Sequence, residues 1–147
     1  MSSLAFLFAF VTGAMMTCQV GANNQLKQAV KQPLFPLAVN YLLGIAAVLA
    51  YAAVRRLSLP SFQQAAGVPW WGWIGGLLGA ISGLTAILLA HKLGAATLTA
   101  LAITGQLACA ILLDHFGWLS FELHPAGWGR IVGSAFMLAG LVLIAKY

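Results

Sequence analysis

Few side chains in this 147-residue chain could do chemistry, and inside its apolar stretches they are amides and hydroxyls rather than acids. Thr12, Met16, Gln19 and Asn23 are spaced four, three and four apart. In a helix that spacing puts them on one face. Asn40, followed by Tyr41, lies inside the second stretch, and Thr97, Thr99, Thr104 and Gln106 are the polar members of the fourth. Polar groups in hydrocarbon are costly, so they face a bundle interior or a cavity. Gln106, central in its stretch and next to Gly105, fits two roles. One is an interhelical hydrogen bond worth about 1 kcal/mol; the other is contact with a solute. For Gln19 and Asn23, near a helix end, headgroups and water compete with a solute for the same amides.

The acids are Asp114 and Glu122. Neither is at mid-membrane depth, where a proton-coupled cation exporter would need its carboxylate. His91 closes the third stretch beside Lys92, and Asp114 closes the fourth beside His115. His91, Asp114 and His115 are therefore the titratable groups that could couple transport to protons. Cys18 and Cys109 lie inside apolar runs and read as small buried hydrophobes. No spacing points to a metal site, a disulfide framework or a cofactor. No nucleophile–base pair or phosphate loop is present, so an enzyme is not expected.

These groups must be positioned by five apolar runs. The first runs from Ser3 to Val20, with its helix expected over 3–24. The other helices are expected over about 33–54, 70–90, 95–113 and 126–145. A hydrocarbon core of roughly 30 Å takes about 20 helical residues to cross. Charged residues are 6% of the chain and hydrophobic residues 62%, against about 25% charged in a soluble domain. Membrane lipid is therefore the solvent. The net charge of +5 is carried by isolated Lys and Arg residues and one Arg55-Arg56 pair near helix ends, a pattern for headgroups rather than nucleic acid. A barrel would need alternating strands, and these runs do not alternate. All five prolines, Pro33, Pro36, Pro60, Pro69 and Pro125, fall at boundaries. The first run lacks a basic n-region and a small-residue cleavage site, and so reads as a span rather than a cleaved signal. Trp70, Trp71 and Trp73 open the third run; they fit an interfacial aromatic belt, and also the mouth of a cation-binding cavity.

Small residues recur every fourth position: Ala5, Ala9, Gly13, Thr17 and Gly21 on the first helix, and Gly75, Gly79 and Gly83 on the third. Ala96, Ala100, Thr104 and Ala108 follow on the fourth, and Gly129 and Gly133 on the fifth. Such stripes let helices approach closely in lipid, within the chain or across a seam between subunits. Five spans put the termini on opposite sides. Arg55, Arg56 and Arg130 then fall on the N-terminal side, and Lys27, Lys31, Lys92 and Lys146 on the other. Three against four gives almost no bias, where a clear excess normally sets orientation. A chain with no preferred orientation inserts both ways, and two opposite copies form an antiparallel pair. That pair is the two-chain form of an inverted-topology repeat.

Several segments together resemble a known family. The first helix reads Gly13-Ala14, then Gln19, Asn23 and Leu26, and the third opens Trp70-Trp71-Gly72-Trp73-Ile74-Gly75-Gly76. The fourth ends Gly105-Gln106-Leu107, then Asp114-His115-Phe116-Gly117, and the fifth begins Gly129-Arg130-Ile131-Val132-Gly133. This succession resembles the YdcZ-type inner-membrane proteins, a five-helix branch of the drug/metabolite transporter superfamily, over essentially the whole chain. The resemblance implies a bacterial inner-membrane location and a transporter-like fold. Larger superfamily members carry ten helices as two inverted five-helix repeats. Unlike the four-helix small multidrug exporters of that superfamily, this chain has no Glu in its first helix.

The expected architecture is one all-α membrane domain of five transmembrane helices over 1–147, half of an inverted-repeat transporter fold. The expected activity is small-solute transport by an antiparallel homodimer, with the path between subunits lined by the first to fourth helices. Gln19, Asn23, Asn40, Thr99 and Gln106 would offer hydrogen bonds, with Trp70 and Trp71 at the cavity mouth or in the belt. The absence of mid-span charge favours a neutral or zwitterionic solute, or the apolar face of an amphipathic one, over a compact ion. The alternative is a non-transporting subunit, or half of a heteromer with a paralogue.

Overall fold

The computed structural model describes residues 3–58 and 60–147. Among them, five helical spans are long and apolar enough to cross a membrane. The chain divides into two compact units, one ending at His91 and one beginning at Lys92.

In the first unit, α1 spans Ser3–Val30 and α2 spans Leu34–Val54. At 1.5 Å per residue α1 is about 42 Å long, more than the hydrocarbon core needs. It outruns the predicted 3–24 because nothing between Asn24 and Val30 breaks a helix. It stops just before Pro33, which disfavours helical backbone in the residue preceding it. Lys31 takes a left-handed φ of 57°, and its N–H donates to the Lys27 carbonyl at 2.8 Å. Pro36 sits in the first turn of α2, where no N–H has an intrahelical partner to lose. At the far end of α2, the Leu57 N–H bonds the Ala52 carbonyl at 2.9 Å and the Arg56 N–H bonds that of Ala53 at 3.1 Å. This is a Schellman ending, with Arg56 at φ 51° where glycine is usual.

Between Pro60 and Pro69 the sequence predicts a loop, and a short helix stands there. α3 spans Phe62–Ala66 and is held by a capping box. The Ser61 N–H donates to Gln64 Oε1 at 2.9 Å, and the Gln64 N–H donates to Ser61 Oγ at 3.3 Å. The third span then opens with a 3-10 turn over Trp70–Trp73 and continues as α4, Gly75–Leu93. α2 lies against α4 through the small stripe. A Cβ placed on Gly83 would meet Leu37 Cδ1 at 2.9 Å, and one on Gly79 would meet the Tyr41 hydroxyl at 3.5 Å.

The second unit is a helical hairpin of α5, Ala95–Phe116, and α6, Trp128–Lys146. α5 starts after Gly94, whose φ of 76° and ψ of 163° suit only glycine. It ends at Gly117, a left-handed cap at φ 63°. The connection includes a 3-10 turn over Trp118–Ser120, in which Leu119 and Ser120 also have positive φ.

Most large apolar side chains on the spans are exposed, including Phe6, Phe8 and Phe10 on α1 and Phe136 on α6. Among the described residues, the buried apolar ones are Pro36, Ile87 and Ala90. An outer surface of this kind is what lipid requires of a membrane span.

Candidate functional site

Among the described residues of the first unit, one polar residue is buried: Asn23, at 9% exposure, in the same unit as Pro36 and the 1%-exposed Ile87. Four residues further along the same face of α1, Lys27 reaches α4 and its Nζ donates to the Ile87 main-chain carbonyl at 3.0 Å. Asn24 lies beside Asn23, and its Oδ1 is sealed from solvent with no hydrogen-bond partner among the described residues. The C-terminal end of α1 therefore carries two amides and an ammonium, and the ammonium reaches α4 at Ile87. The sequence reading singles out Asn23 here but neither Asn24 nor Lys27. The i, i+4 relation of Asn23 and Lys27 was the available signal; the reach to Ile87 was not.

The remaining positions of the first unit are more open. Gln19 is exposed in a shallow apolar groove along α1, between Phe10, Val11, Ala14, Met15, Cys18 and Ala22. Asn40 is half-buried on α2. Trp70 is 77% exposed and Trp71 38%, both in the 3-10 turn that begins the third span. His91 is exposed in the last turns of α4.

In the second unit, Thr99 is half-buried and Gln106 exposed, midway along α5. Several other hydroxyls on the spans are engaged by their own helices. Thr12 donates to the Phe8 carbonyl at 2.9 Å, Thr85 to Ile81 at 2.8 Å and Thr104 to Ala100 at 2.8 Å. Neither Thr99 nor Gln106 has such a side-chain bond among the described residues, so both keep donors for a partner.

Asp114 and His115 anchor the connection that crosses the end of the hairpin. Arg130 Nη1 donates to Asp114 Oδ2 at 3.0 Å and to the His124 carbonyl at 3.2 Å. The His124 N–H donates to the Asp114 carbonyl at 2.8 Å. The Ala126 N–H donates to His115 Nδ1 at 3.1 Å, which makes Nε2 the protonated nitrogen of the neutral ring. The Phe116 ring meets that of His115 edge-on and stacks on that of Trp118, each at 4.8 Å between centroids. This arrangement holds a loop in place. No group of three or more His, Cys, Asp or Glu side chains suited to a metal ion occurs among the described residues.

The distribution of side chains suits binding: amides and hydroxyls on long apolar helices, with the charged groups towards the helix ends. Residues 4–143 match the model of a family described as "Putative inner membrane exporter, YdcZ". The inner membrane protein YdcZ of Escherichia coli (strain K12) is 26% identical over 144 residues, covering 98% of this chain and 96% of that protein. No solved structure matches. With five spans and a family match over nearly its whole length, this chain belongs to the YdcZ family of multi-pass inner-membrane proteins.

Proposed function

We propose that this chain is a small-solute exporter working as a dual-topology antiparallel homodimer, with the solute's path between the two copies. Gln106 carries the reading. It lies about 17 Å along α5 at 1.5 Å per residue, exposed on the single chain. An amide left unpaired in hydrocarbon costs on the order of 2–7 kcal/mol, so a second copy or a solute must cover it. Gln19 is likewise exposed on α1, Asn40 and Thr99 are half-buried on α2 and α5, and Asn23 joins them toward the C-terminal end of α1. Trp70 and Trp71 belong to the mouth of the path or to the interfacial belt.

Three further observations support the pairing. A Cβ on Gly13, Gly21, Gly105, Gly129 or Gly133 would meet nothing within 4 Å, so these small positions are open to another helix. The near-even charge tally leaves both orientations available. The family description is of an exporter rather than an enzyme. Rocking of two identical, oppositely oriented chains then supplies alternating access. His91, Asp114 and His115 are the titratable groups available for coupling.

The test is flux of a solute panel into proteoliposomes holding the purified chain. Gln106→Ala and Gln19→Ala each reduce saturable flux. Unchanged flux in both variants would remove these side chains from the path. Flux that needs a co-expressed paralogue would replace the homodimer by a heteromer.

A further inference from the structure

Gly105 and Gln106 are the two middle residues of α5. Within the second unit α5 packs against α6. Its half-buried residues Ala100, Thr104, Leu107, Ile111 and Asp114 are spaced four, three, four and three apart. That spacing makes a single face, the one turned to α6. Ala102, Gly105, Gln106 and Cys109 lie on the other side of the helix, and all four are exposed. Their three- and four-residue spacing gathers them into one patch. A Cβ on Gly105 would meet nothing within 4 Å, so another helix can come close there. Thr104 spends its hydroxyl on the Ala100 carbonyl at 2.8 Å, whereas the Gln106 amide makes no side-chain bond among the described residues. The patch thus places an unpaired carboxamide at the depth where hydrocarbon penalises it most.

Two copies in opposite orientations are related by a twofold axis that lies in the membrane plane at mid-depth. Only a residue at that depth meets its own counterpart; every other residue meets a different one. Gln106 has the depth, and its side chain has the chemistry. A carboxamide holds both donor and acceptor, so two of them close a pair through reciprocal N–H···O bonds. Gln19 stands toward one end of the apolar part of α1, and Asn40 in the first half of α2. From this geometry we infer that the two copies meet along α5, which crosses its own counterpart at Gly105 with the Gln106 amides bonded to each other across the axis. Charge favours the same partner in the same orientation. Lys92 and Lys146 stand at one end of the hairpin, and at the other the acids Asp114 and Glu122 face a single Arg130. Opposite orientations set the cationic end of one hairpin beside the acidic end of the next, and a parallel pair would set like against like. The inference rests on the antiparallel homodimer proposed above, and adds which helix forms the seam and what Gln106 bonds to.

The test is disulfide crosslinking of the full chain in native membranes, with Cys18→Ala throughout. With the axis between residues 105 and 106, positions 102 and 109 lie about 5 Å to either side of it at 1.5 Å per residue. Each then faces the other across the seam. Ala102→Cys with Cys109 retained gives a crosslinked dimer. Cys109 without the change at 102 gives none, and neither does Ala102→Cys combined with Cys109→Ala. Gln106→Cys combined with Cys109→Ala crosslinks to its own counterpart. Gln106→Leu weakens self-association in liposomes, read by energy transfer on dilution, by about 5–30-fold, the range for one polar bond between membrane helices.

Should Gln106→Cys fail to insert, the 102–109 pair, which keeps Gln106, decides alone. Self-crosslinking of Cys109 and of Ala102→Cys, each without the other, means a parallel pair, and both this inference and the antiparallel homodimer fall. No dimer from any of these cysteines, while differently tagged chains of both orientations still co-purify, removes α5 from the seam and leaves the homodimer standing. Self-association of Gln106→Leu as tight as that of the parent overturns the amide pair, and the inference with it.

Discussion

Gly94 adopts a backbone conformation that side chains do not tolerate, although a Cβ there would meet nothing within 4 Å. The cost of substituting it is therefore conformational rather than steric. Gly94→Ala should lose about 1–3 kcal/mol, read as a lower midpoint of thermal unfolding in detergent. Gly44, helical and equally uncrowded, provides the contrast: Gly44→Ala should gain about 0.5–1 kcal/mol from reduced chain entropy. A fall at both positions would mean that crowding, not backbone geometry, governs them. The polar residues behave in the opposite sense. Gln106→Leu should abolish flux without lowering the unfolding midpoint of the chain, since the amide makes no side-chain bond within it. Gln19, Asn23 and Gln106 were picked out as candidates in the sequence because an amide inside an apolar run stands out. Asn24 and Lys27 were not, since a position at a helix end gives a polar residue an ordinary reason to be there. What distinguishes Lys27 is its carbonyl partner, 60 residues away along the chain.

Among the elements, the five spans follow directly from run length, and their boundaries follow from Pro and Gly. The exceptions have local causes. α1 continues six residues beyond its predicted end at 24 because polar Gln25, Lys27 and Gln28 are compatible with helix once outside the hydrocarbon. α3 forms where the Pro-bounded segment reads as loop, yet its Ser61-x-x-Gln64 capping pattern was present in the sequence. Pairing between elements was less legible. The stripe on α4 admits either a neighbour in the chain or one in another subunit, and the structure fills its Gly79 and Gly83 positions with Tyr41 and Leu37. Gly83→Val should therefore destabilise by about 1–3 kcal/mol, the usual cost of overpacking, and Leu37→Ala in the same chain should recover part of it. No recovery would argue against that packing. The Asp114–Arg130 ion pair joins residues 16 apart across a loop, which no helical spacing rule reaches. With the Arg130 side chain 41% exposed and that of Asp114 29%, its coupling in a double-mutant cycle should not exceed about 1 kcal/mol. A larger value would mean that the loop hydrogen bonds and the ion pair act as one network.

For the molecule as a whole, the open glycines and the exposed mid-span amides make the antiparallel pair testable in cells. Variants that shift positive charge to one side should each insert in a single orientation and be inactive alone. Co-expression of the two oppositely biased forms should restore transport. Activity of either biased form by itself would exclude the antiparallel pair as the working unit. The sequence bears on orientation through its charge tally, but it contains no signal for which helices meet across the seam, because small residues serve intrachain and interchain packing alike.

Designing those variants depends on how the α2 ending is built. Arg55 and Arg56 count equally in a tally of charge, yet only Arg56 occupies the left-handed position. Replacing Arg56 with Gly removes a charge and relaxes the turn together, whereas replacing Arg55 removes a charge and leaves the turn as it was. Lys31 is the corresponding position after α1. Edits at 31 and 56 therefore confound topology with folding yield, and a clean orientation switch has to be written at Arg55 and Lys92.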